Sequence, residues 1–71
     1  MTNPLSIYTE TGAKAGQAAR RKDMSLVRFH QDWLSRAKRL ESPDDARAAQ
    51  HAYDAAYREA SGVNDAPRYF R

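Results

Sequence analysis

The sequence predicts an all-α fold: an antiparallel helical hairpin (about 24–41 and 43–61) with an additional N-terminal helix, assembled as a dimeric helical bundle. Three observations carry this. Residues 17–42 hold neither proline nor glycine, and their apolar side chains recur at helical spacing. Residues 42–62, SPDDARAAQHAYDAAYREASG, open and close with helix-boundary signals. The 71 residues include 13 alanines but few large apolar groups, so one copy has little with which to build a core. Small chains of this kind add disulfides, a metal or a second subunit.

The first element is the least sharply signed. Asn3-Pro4 suits a helix start, because proline tolerates the first turn. Leu5, Tyr8, Gly12, Ala15 and Ala19 then fall three and four apart. Thr9, Thr11, Gly12 and Gly16 are weak helix formers, so the helix is expected from about Ala13, with residues 1–12 left flexible. LSIYT also suits a short strand. The four-residue spacing of Gly12 and Gly16 in GAKAG reads as close helix packing or fraying rather than phosphate binding.

In the second helix Leu26, His30, Trp33, Ala37 and Leu40 form a four-three-four-three stripe, widened by Val27 and Leu34. Its start has two readings. Asp23 or Ser25 caps a new helix, or AARRKDMSLVRF runs through without a break. Arg28, Asp32 and Arg36 sit one turn apart and support each other weakly.

The third helix is the best defined. Ser42 is a good N-cap, Pro43 fits the first helical position, and Asp44 and Asp45 face the positive end of the dipole. Gly62 suits the left-handed position that closes a helix. Between them Ala46, Ala49, Tyr53, Ala56 and Ala60 form a slender stripe, with Tyr57 beside it. The connection around Ser42-Pro43 is short, which makes the second and third helices antiparallel neighbours. On that pairing Leu40 meets Ala46 and Ala49, and Trp33 lies near Tyr53. The whole, residues 1–71, reads as a single small domain with a C-terminal tail, 63–71. In that tail Tyr69 and Phe70 either fold back on the bundle or order on a partner.

Composition narrows the chemistry. Without cysteine there are no disulfides and no thiolate metal sites. Two histidines without a surrounding acidic cluster do not make a structural zinc site, and His51 with Asp54 supplies only two ligands. His30, on the apolar stripe, reads as a core or interface histidine, with a pH-sensitive contact as its alternative. No catalytic constellation or phosphate loop occurs, so an enzyme, a cofactor and a small-molecule substrate are not expected. No apolar stretch approaches the roughly 18 residues of a membrane span, and MTNPLSIYTE lacks the layout of a secretory signal. A cytoplasmic protein is expected.

Charge is unevenly placed. Residues 14–39 balance at +6 and residues 41–65 at −4, within a total of +3. Paired helices would cancel part of this internally. The favoured functional reading is a non-enzymatic regulatory or adaptor protein that binds another protein and forms a homodimer. Phe29, Trp33, Tyr53 and Tyr57 are its expected apolar anchors. Lys14, Arg20, Arg21, Lys22 and Arg28 form a basic patch that steers an acidic partner. The alternative is a small DNA- or RNA-binding regulator using the basic segment 14–28. LSIYT followed by two helices faintly suggests a ribbon-helix-helix, but the glycine-bearing break expected near Lys22-Asp23 is missing.

Overall fold

A computed structural model describes residues 5–62 and folds them into α1 (Leu5–Arg20), α2 (Met24–Lys38) and α3 (Pro43–Ser61). The tail 63–71, with Tyr69 and Phe70, lies outside the described residues.

Helix α1 begins eight residues earlier than its propensities suggest, so LSIYT is helical and the strand reading of that segment is corrected. Packing supplies the reason. Tyr8, Gly12, Ala15, Gly16 and Ala18 form a buried face, and that contact outweighs the poor intrinsic preference of glycine and threonine. The helix ends at a Schellman turn. The amide of Lys22 donates to the Ala19 carbonyl at 2.9 Å, and that of Asp23 to the Ala18 carbonyl at 2.8 Å. Lys22 takes the left-handed position, φ 62°, which glycine usually fills. The next residue starts α2: the Asp23 side chain accepts from the Leu26 amide at 3.2 Å. The first two helices are therefore separate, and the missing glycine is replaced by a strained lysine.

Helix α3 has the boundaries its sequence announces. Ser42 Oγ accepts from the Asp45 amide at 3.3 Å, and Gly62 closes the helix at φ 79°.

The closest and most extensive packing joins α1 to α3, whereas α2 and α3 meet least. The glycines of α1 make this possible. A β-carbon on Gly12 would fall 2.9 Å from Tyr53 Cα, and one on Gly16 would fall 2.6 Å from the Tyr57 carbonyl oxygen. Partners on α3 advance as α1 advances, so the two helices run parallel. Helix α2 runs the opposite way to α1: Trp33 meets Tyr8, while His30, earlier in the chain, feels the charge of Lys14.

Tyr8, Ala15, Leu34, Ala37, Ala49 and Tyr53 make the core, with Trp33, Ala52 and Tyr57 packed against it. Tyr8, only 1% exposed, is its pin. Its hydroxyl donates to Glu41 Oε2 at 2.8 Å and ties α1 to the turn before α3. Leu40 lies beyond the end of α2 and is 82% exposed, so it does not cover Ala46 and Ala49 as the hairpin pairing implies.

Candidate interaction surface

Helix α2 carries more apolar residues than one neighbour covers. Val27, Leu34 and Ala37 are buried, with His30 half-buried among them; these positions form one helical stripe. A second stripe runs beside it at three-four-three-four spacing: Leu26, Phe29, Trp33, Arg36 and Leu40. Leu26 and Trp33 are half-buried, whereas Phe29 is 59% exposed and Leu40 almost fully so. Trp33 leans on Tyr8, ring centroids 5.5 Å apart and planes at 47°. Its other side opens to a hollow of about 290 Å³ lined by Ile7, Trp33, Arg36, Ala37 and Leu40. Ile7 of α1 is itself exposed, so the greasy strip crosses from one helix to the other.

The four expected anchors therefore stand differently. Phe29 is open, packing edge-on against His30 at 5.5 Å. Trp33 is half-buried at the rim of the hollow. Tyr57 is half-buried and stacked on Tyr53, centroids 6.4 Å apart. Tyr53 is 3% exposed and faces the core. Its hydroxyl is buried and has no hydrogen-bond partner among the described residues. Burial, followed by the neighbouring Tyr57 and Asp54, pushes its pKa up to about 12. The strip also includes Ile7 and Leu40, which the sequence does not mark as surface anchors: helical spacing points Leu40 to the seam with α3, and Ile7 sits in a segment of weak helix and strand preference.

All five members of the basic patch, Lys14, Arg20, Arg21, Lys22 and Arg28, are exposed. Arg20 ends α1, and Arg21 and Lys22 form the turn that follows. Lys14 reaches toward α2, where it acts with burial to lower the pKa of His30 below its ordinary 6.5; burial is the larger cause. Among the described residues the ion pair that forms stays within α3, from Arg47 to Asp44. The link across to α2 is neutral at one end: Lys38 Nζ donates to Gln50 Oε1 at 2.6 Å.

His51 and Asp54 sit in a shallow hollow on α3 with Arg47, Gln50 and Arg58, and Asp54 accepts from Gln50 Nε2 at 2.8 Å. Among the described residues no group of three or more metal-ligating side chains comes together. None of their helices is long and apolar enough to cross a membrane. Compared with known proteins, the chain matches no family model, no curated protein and no solved structure at a significant level.

Proposed function

We propose that the chain is a non-enzymatic interaction module that binds another protein and pairs with a second copy of itself, with α2 and α3 supplying the association surfaces. The observation that carries this reading is the open apolar strip of α2. Fully burying a large aromatic side chain is worth about 1.5–3 kcal/mol relative to leaving it exposed, and Phe29, 59% exposed, has roughly half of that still to gain. Trp33 adds an amphipathic ring at the rim of a hollow, the kind of anchor around which protein interfaces concentrate their energy. Arg36 lies within the strip and Arg28 is exposed nearby, so association is faster with an acidic partner and slows with salt. Tyr53 supports this surface from the core rather than touching the partner.

Affinity capture from the native host, with wild-type and Phe29→Asp chains as paired baits, tests the reading. The expected result is a defined protein retained by the wild type and lost from the variant, with the variant still folded by circular dichroism. Equal capture by both baits would sink it.

A nucleic-acid reading has one specific observation in its favour: Arg20, Arg21 and Lys22 project from one turn, fixed by the Schellman geometry. If it holds, a gel shift appears at low salt, fades steeply as salt rises and vanishes when those three residues become alanine.

A further inference from the structure

The occupant of the α2 strip can be chosen from the chain itself. The strip runs Leu26, Phe29, Trp33 and Arg36 along α2 and on to Leu40 in the turn that follows, bulky and flanked by Arg28 and Arg39. Along α3, beside the face that packs inward, the same spacing recurs with smaller side chains: Asp45, Ala48, Ala52, Ala55 and Glu59 span about 21 Å. Of these five only Ala52 is half-buried; the others are exposed. The α2 line and its flank carry Arg28, Arg36 and Arg39 against Asp32; the α3 line and its flank carry Asp44, Asp45, Asp54 and Glu59 against Arg47 and Arg58, so one is bulky with a cationic excess and the other small with an anionic excess. Phe29 and Leu40 of the first line and Ala48 and Ala55 of the second stay exposed in one copy, whereas Trp33 and Ala52 pack partly against its core.

We infer that a second copy's α3 fills the groove along α2 of the first, with Phe29, Trp33 and Leu40 seated over Ala48, Ala52 and Ala55 and the arginines facing Asp45 and Glu59. This rests on the proposed reading of the α2 strip and names its partner. Size and charge both favour it. Alanines let a helix backbone approach while aromatic knobs fill the space between, and opposite charges at the ends fix which face is chosen. The two surfaces differ, so every copy carries one donor strip and one acceptor strip. The contact either closes reciprocally into a dimer or continues head to tail.

Sedimentation velocity of the full chain, with two charge-reversed variants, tests this. The first variant carries Arg28→Glu and Arg39→Glu, one toward each end of the strip; the second carries Asp45→Lys and Glu59→Lys. Wild type is expected to associate at about 100 μM or below, and each variant alone to associate roughly tenfold more weakly or worse. Mixed one to one, the variants restore association, since each acidic α2 then meets a basic α3. Circular dichroism of each variant separates a lost contact from a lost fold. Two results overturn the inference. A monomeric wild type removes it while leaving host capture through Phe29 intact. Self-association that is abolished by Phe29→Glu yet indifferent to the reversals, with no rescue on mixing, leaves the strip as an interface but gives it another occupant. Loss of both Phe29-dependent capture and self-association is the outcome that takes the broader reading down as well.

Discussion

The backbone of Tyr53 occupies the space that any side chain at position 12 would need: its Cα stands 2.9 Å from where a β-carbon on Gly12 would lie. The neighbour is main chain in the middle of a helix, so it cannot swing aside. Substitution Gly12→Ala must push α1 and α3 apart. Overpacking of this kind costs about 1–3 kcal/mol, against a gain of about 1 kcal/mol from alanine's better helix propensity. The net is a loss. Thermal unfolding should shift down by several degrees, given about 4–8 °C per kcal/mol for a chain of this size. Gly16→Ala, which meets the Tyr57 carbonyl and the Ala60 side chain, should do likewise. A higher melting temperature for either variant would show that the close crossing is not there.

Tyr53 carries a second consequence. A buried hydroxyl without a partner contributes little or costs up to a few kcal/mol. Tyr53→Phe should therefore leave stability unchanged or raise it, in contrast to Tyr8→Phe, which loses the bond to Glu41. The pH dependence has a definite sign. The folded pKa, about 12, lies above the ordinary 10.0, so the contribution is complete below pH 10.0 and is lost as pH climbs toward 12. Denaturant midpoints measured from pH 9 to 12 should decline for wild type and decline less for Tyr53→Phe. Parallel curves would contradict the assignment.

What the sequence announced and what it withheld divide along physical lines. The ends of α3 were legible because caps are local chemistry: Ser42 and Gly62 act within a turn of their own position. Its alanine and tyrosine stripe was legible too, since periodicity does not depend on which neighbour the stripe meets. The identity of that neighbour was not. Gly12 and Gly16 lower helix propensity wherever they occur, and only the presence of α3 turns them into the tightest contact of the fold. The same gap affected the surface. Tyr53 lies on its helix's stripe and Phe29 beside its own, and how far each is covered depends on where α1 lies across them. The turn after α1 was hidden for another reason, because lysine holds the position that glycine would have advertised.

That turn makes its own prediction. Lys22 sits at φ 62°, where a β-carbon is strained by about 1–2 kcal/mol, and glycine is free of that strain at an entropic cost of about 0.4–1 kcal/mol. Lys22→Gly should stabilise the chain by roughly 0.5–1 kcal/mol. Asp23→Ala, one residue on, removes the cap that holds the Leu26 amide and should destabilise by about 1 kcal/mol. Chemical denaturation of the two variants beside wild type checks both signs. If Lys22→Gly is weaker than wild type, α1 and α2 are not joined by this turn.

His30 gives the fold an acid limit. Burial and the Lys14 ammonium both disfavour its charged form, so its folded pKa lies below the ordinary 6.5. Between the lowered value and 6.5 the unfolded chain binds more protons than the folded one, and stability then rises with pH. The contribution is complete above pH 6.5 and drains away as pH falls through the folded pKa. His30→Gln should flatten this slope without altering the alkaline limb set by Tyr53. Lys14→Gln should raise the His30 pKa part of the way back, because burial, the larger cause, remains. Proton NMR titration of the imidazole reads both effects directly. An unshifted His30 in the wild type, or one that ignores the loss of Lys14, would mean that α1 and α2 do not face each other across this pair.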